Sequence, residues 1–228
     1  MTDNMDNEEK SLSEKESLDL IAKMINKAKD GCHDTGISAI MWGALIAFCS
    51  LVRLSEMQFG YKLPFDIYIL TVAALIPQII FQARENKKRK VKTYDDVFMN
   101  AVWTGFGISI FLLIFIMNVM YNQWAPGNEE YLKNTGKASG FNLFEFNAPL
   151  FLLLYGMPTF VTGLSIKFRP MLLGGIFCWI CCMISCFTTI KIDLILLALS
   201  SVFAWLIPGI IMEKDYRKAK RELAKGNV

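Results

Sequence analysis

A chain of 228 residues that is 54% hydrophobic, with a mean hydropathy of +0.36, is too apolar for an ordinary soluble domain of its size. Its net charge of +3 is unremarkable, but the placement is not: charges crowd into the N-terminus, residues 84–96, the 167–169 turn and the C-terminal tail. Long, nearly charge-free segments lie between, which excludes a soluble globular enzyme and indicates a polytopic, all-α membrane protein.

In chain order, residues 1–10 are acidic, lack apolar anchors and read as disordered. No short apolar run ends in a small-residue cleavage site, so the first membrane helix is expected to direct insertion from a cytoplasmic N-terminus. Ser11 to Asp30 differs. Ser11 with Glu14 and Ser13 with Glu16 fit capping boxes, and Leu18, Ile21, Met24, Ile25 and Ala28 then fall at helical spacing. This amphipathic helix is too polar to span. It reads as lying on the inner membrane surface or against the cytoplasmic turns, or as a docking helix for a separate protein.

Six spans are predicted: 36–54, 65–82, 98–121, 149–166, 171–187 and 194–212. The domain plan is therefore a cytoplasmic segment (1–35), a six-helix membrane domain (36–212) and a charged cytoplasmic tail (213–228). The run Arg84 to Lys92, RENKKRKVK, is the strongest positive cluster and is assigned to the cytoplasm by the positive-inside rule. Nine residues between two spans form no nucleic-acid-binding domain. The segment Asn122–Asn147, with Trp124, Tyr131, Phe141, Phe144 and Phe146, is expected as an outer loop, with a short helix opening at Asn128. The charge bias of every connector puts both termini on the cytoplasmic side.

The stretch YGMPTFVTGLSIKFRPMLLGGIFCW, Tyr155 to Trp179, reads as a membrane hairpin around a basic turn. Lys167 and Arg169 reach the headgroup region there, and Pro170 opens the second arm. Pro158 is expected to kink the first arm, with Thr159 and Thr162 re-satisfying freed carbonyls. Gly163, Gly174 and Gly175 are small enough for close backbone approach. A related pattern occurs three times. Pro77, Pro158 and Pro208 lie near the cytoplasmic ends of second helices, and Gly43, Gly105 with Gly107, and Gly174 with Gly175 lie on first helices, each beside a tryptophan. Three like-oriented hairpins, by duplication or by generic helix packing, account for it.

On these residues the chain resembles a family of small, uncharacterised integral membrane proteins of Bacteroidota. The shared pattern is Tyr155-Gly156, Pro158-Thr159-Phe160, Gly163, Lys167-Phe168, Pro170, Gly174-Gly175 and Trp179; ESLDLIAKMI and Trp42-Gly43 are similar too. The resemblance implies a bacterial inner membrane and carries no activity.

Little in the sequence points to chemistry. Cys178, Cys181, Cys182 and Cys186 share most of one helical face, but mid-bilayer thiolates are costly and cysteine is an ordinary small apolar residue there, so core packing is the reading rather than a metal site. The lone His33 sits at a flank beside Cys32. Arg53, Asp66, Lys191 and Asp193 are expected close enough to the surface to pair or snorkel. Gln78, Asn100, Asn118, Ser109 and Thr71 are expected to hydrogen-bond between helices. No HExxH, GxSxG or Walker glycine loop is present, so no catalytic, cofactor or metal residues are assigned and no enzyme is expected. The expected function is that of a non-enzymatic, membrane-embedded partner-binding or sensor protein. Its expected partners are the lipid bilayer and a cytoplasmic protein, met through Leu18, Ile21, Met24, Ile25, Lys167 and Arg169; a small-solute channel or transporter is the alternative.

Overall fold

The computed structural model describes residues 35–88, 94–137 and 143–226, and every described element is helical. Among the described residues, eight α-helices run in order: α1 (Ile37–Phe59), α2 (Ile69–Ala73), α3 (Leu75–Lys88), α4 (Tyr94–Thr135), α5 (Asn147–Ser165), α6 (Arg169–Ser185), α7 (Ile190–Ser201) and α8 (Ile207–Gly226). A 3-10 turn, Leu143–Phe146, precedes α5, and a π-helical segment, Val202–Leu206, joins α7 to α8. Among the described residues, four helical stretches are long and apolar enough to cross a membrane: Ile37–Phe59, Val97–Thr135, Asn147–Ser165 and Ile190–Glu222. Two shorter apolar helices, Ile69–Arg84 and Arg169–Ser185, accompany them. The acidic tail, the amphipathic Ser11–Asp30 segment, Cys32, His33 and residues 89–92 of the Arg84–Lys92 run lie outside the described residues.

The core is built from α1, α5, α6 and the continuous α7–π–α8 rod, and glycine sets how closely they approach. A Cβ on Gly163 would stand 2.3 Å from the Leu172 nitrogen, and one on Gly175 would stand 2.7 Å from the Phe160 nitrogen, so α5 and α6 touch backbone to backbone along the hairpin. Gly43 of α1 and Gly174 of α6 close on the π segment from two sides, against Leu206 and Ala204. Gly36 meets Gly209 where α1 begins beside α8. The bundle therefore has two distinct ends. One holds Gly36, the Ile166–Phe168 turn and Glu213; the other holds the end of α1, the start of α5 and the Cys186–Thr189 turn.

The prolines act as local backbone chemistry dictates. Pro77 has no N–H for the Ala73 carbonyl, and the second predicted span breaks into α2 and α3 at Ala74. Pro208 would drive its ring into the Ala204 carbonyl of a regular α-helix; instead the turn widens, and the Ile207 N–H reaches back five residues to Val202. Pro158 stays inside α5, where the Thr159 hydroxyl donates to the Tyr155 carbonyl at 2.7 Å. The carbonyl that Pro158 leaves without its N–H is that of Leu154, which the Thr159 hydroxyl does not reach, and the buried Thr162 hydroxyl makes no hydrogen bond, so the expected repair by Thr159 and Thr162 is not what the structure shows.

The periphery departs from expectation in two ways. The segment Asn122–Asn147 is not one loop, since α4 continues unbroken through Pro126 to Thr135. At ~1.5 Å per residue its 42 residues reach about 63 Å, roughly twice a bilayer's hydrocarbon thickness. Gly105 and Gly107 of α4, expected to pack closely as Gly43 and Gly174 do, face open space. The threefold glycine pattern is a contact pattern in two of its three instances, and α4 packs on the core cluster through Trp103, Phe106 and Ile110 instead.

Candidate functional site

Three clusters of polar or aromatic side chains stand out. The first lies in the core around the π segment. Trp205, 4% exposed, donates its indole N–H to the Thr159 hydroxyl at 2.8 Å. Its ring lies 4.8 Å from that of Tyr155, and Phe106 and Trp103 of α4 approach it at 6.1 and 6.4 Å. The widened turn at Pro208 delivers Trp205 to this position, between two glycine-lined contacts. Beside it, Cys178 and Cys181 are buried next to Ser200, while Cys182 and Cys186 donate to the carbonyls of Pro149 and Cys182. Among the described residues, no group of three or more His, Cys, Asp or Glu side chains forms a metal-ligand set.

The second cluster is the end holding Glu213. The α5–α6 turn closes as a Schellman motif: the Phe168 N–H bonds the Gly163 carbonyl at 2.8 Å, and the Lys167 N–H bonds Leu164 at 3.3 Å. The position in left-handed conformation, where glycine is usual, is Lys167 with φ 54°. Lys167 and Arg169 are both exposed. Glu213 is buried at the Gly36–Gly209 crossing and takes the Arg217 guanidinium at 2.7 Å. Beyond it α8 runs on and exposes Lys214, Lys218, Lys220 and Arg221. Of the residues expected to bind a partner, Lys167 and Arg169 thus share one end of the bundle. Leu18, Ile21, Met24 and Ile25 lie outside the described residues, on the chain segment that joins the bundle at that end.

The third cluster is the opposite end. Arg53 pairs with Glu56 at 2.9 Å, and Glu56 also accepts the Leu63 N–H, tying the connector back to α1. Lys191 donates to Gln58 at 3.1 Å. Asp66 is exposed and accepts the Tyr68 N–H. Arg53, Asp66 and Lys191 are exposed as expected, but Asp193 is not. It is 2% exposed, and its Oδ1 accepts the Ser185 and Thr188 hydroxyls at 2.8 and 2.6 Å. One turn into α7, Asp193 falls on the helix's inward face with Leu194, Leu197 and Ala198, so periodicity overrides its nearness to the chain turn. The register of Asp193 with Leu197 and Ser200 was the available signal.

The membrane polar residues divide. Gln78 accepts the Trp42 indole N–H at 3.3 Å and Asn100 accepts from Gln82 at 3.0 Å, both between helices as expected. Asn118, Ser109 and Thr71 instead donate to the carbonyls of Ile114, Gly105 and Tyr68 on their own chain turns. On α2 and α4 few neighbours lie within reach, and the local carbonyl is the nearest acceptor. Sequence inspection also missed the Trp205–Thr159 bond, which spans 46 residues and has no local signature.

No protein-family model, curated protein or solved structure matches this chain.

Proposed function

We propose that this is a non-enzymatic protein of the bacterial inner membrane that works through its cytoplasmic face, binding a partner protein there or reporting the state of the bundle to one. The proposed threading has six spans, α2–α3 and α6 completing the four longer ones, with both termini and the Glu213 end in the cytoplasm. The observation that carries the proposal is the convergence at that end. Gly36, from which the 1–35 segment departs, sits on Gly209, while Lys167, Arg169 and the basic continuation of α8 stand exposed at the same end. Lys167 adds weight. A lysine held at φ 54° bears strain that glycine would not, about 1 kcal/mol or more, and such strain is retained where the side chain is needed.

The test is an affinity pull-down from native membranes with the full-length protein and with a variant lacking residues 11–30. A specific protein captured by the first and lost from the second is expected. Capture of the same protein by both would remove the docking helix from the proposal.

A second reading, a small-solute channel or transporter, is favoured by the buried hydroxyls of Thr159, Thr162, Ser200 and Ser201 in the interior of the core. It requires solute flux into liposomes carrying the purified protein, and flux that falls in a Thr159→Val variant.

A further inference from the structure

Asp193 poses a charge problem that its neighbours leave unsolved. Its Oδ1 is well supplied, with two hydroxyl donors at 2.6 and 2.8 Å, the kind of donors that an anionic carboxylate recruits. Its Oδ2 is buried and accepts no hydrogen bond. At this end Arg53 is committed to Glu56 and Lys191 to Gln58, and the exposed Lys62 makes no ion pair with Asp193. The N-terminus of α7 offsets part of the negative charge, yet no N–H reaches Oδ2. Glu213 at the opposite end makes the contrast. Its Oε2 is also buried without a partner, but its Oε1 holds Arg217 as a counter-ion. Asp193 has no such counter-ion among the described residues.

We propose that Asp193 Oδ2, with the hydroxyl oxygens of Ser185 and Thr188, binds a small monovalent metal cation of the sodium class. Each of those hydroxyls gives its proton to Oδ1 and keeps lone pairs free, so the three residues offer a compact set of hard oxygen ligands around one negative charge. Ser185 ends α6, whose negative dipole end adds to the attraction for a cation. A single carboxylate with hydroxyls matches one positive charge. A divalent ion draws on more carboxylates than are present, and a soft metal on thiolates or imidazoles. Because α6, the Cys186–Thr189 turn and α7 all contribute, an ion here would pin the α6–α7 hairpin to the core.

Thermal unfolding of the purified full-length protein in one detergent tests this, comparing sodium, potassium and choline chloride at equal ionic strength. The melting temperature is expected to rise saturably with sodium and to stay flat with choline. In Asp193→Asn the sodium response should vanish. In Ser185→Ala and Thr188→Val it should persist, with half-saturation moved to roughly tenfold higher sodium. These two milder variants carry the test if Asp193→Asn does not fold. Identical melting in sodium and choline would overturn the proposal. So would an undiminished response in Asp193→Asn, unchanged half-saturation in both milder variants, or a melting temperature that follows pH but not sodium.

Discussion

Glycine in this protein is meaningful at some positions and neutral at others, and the structure separates them. At Gly43 and Gly174 an added methyl would stand 2.5 Å from the Leu206 nitrogen and 2.6 Å from the Ala204 Cα. Both neighbours are backbone and cannot swing aside. Gly43→Ala and Gly174→Ala should each cost about 1–3 kcal/mol, read as a lower melting temperature in detergent. Gly105→Ala meets open space and should leave stability unchanged or slightly raised, since alanine favours a helix by up to about 1 kcal/mol. The bond from Trp205 to Thr159 should be worth about 1 kcal/mol, and a double-mutant cycle with Trp205→Phe and Thr159→Val measures it. A coupling indistinguishable from zero would mean that Thr159 serves only the Tyr155 carbonyl. At Lys167, replacement by glycine relieves left-handed strain, so Lys167→Gly should melt at the same temperature or higher while weakening capture of the proposed partner.

At the scale of elements, proline decides where helices change character. The π segment exists because Pro208 forbids an α-helical bond to Ala204, and the resulting wide turn is held between Gly43 and Gly174. Pro208→Ala removes the cause and leaves the glycine contacts in place. Backbone amides 204–207 should then exchange hydrogen more slowly, as α-helical bonds replace the π bond, and the Trp205–Thr159 coupling should fall as the indole rotates off its acceptor. Unchanged exchange would show that tertiary contacts, rather than the proline, hold the bulge. The long α4 illustrates the opposite regime. Apolar through Tyr121 and polar beyond Asn122, it packs on the core cluster through Trp103, Phe106 and Ile110, all in its first half. Local propensity carried helix through a segment whose polarity alone reads as loop.

At the scale of the whole molecule, the antiparallel run of α1 against α7–α8 and the α5–α6 hairpin generate two chemically different ends. One is basic and continued by α8; the other is closed by paired and buried polar groups. The proposed threading is open to direct test. Single cysteines placed at Lys167 and at Lys218, in a background with the native cysteines replaced, should react with an impermeant maleimide only from the cytoplasmic side. One at Gly127 should react only from the other side. Labelling of Lys167→Cys and Gly127→Cys from the same side would overturn the six-span arrangement.

Much of this was legible in the chain itself. Charge-free apolar runs show that the protein is a helical membrane protein, because in lipid the backbone must satisfy itself and the residue's own polarity decides where it can lie. The turn at Lys167–Pro170 and the importance of Gly43, Gly163 and Gly174 were legible for the same local reason. Which face of a helix looks inward, and at what partner, is a property of several distant segments at once. The burial of Asp193, the open space around Gly105 and the meeting of Trp205 with Thr159 were therefore decided only by tertiary structure: each depends on the distance to another helix, and no local pattern encodes that distance.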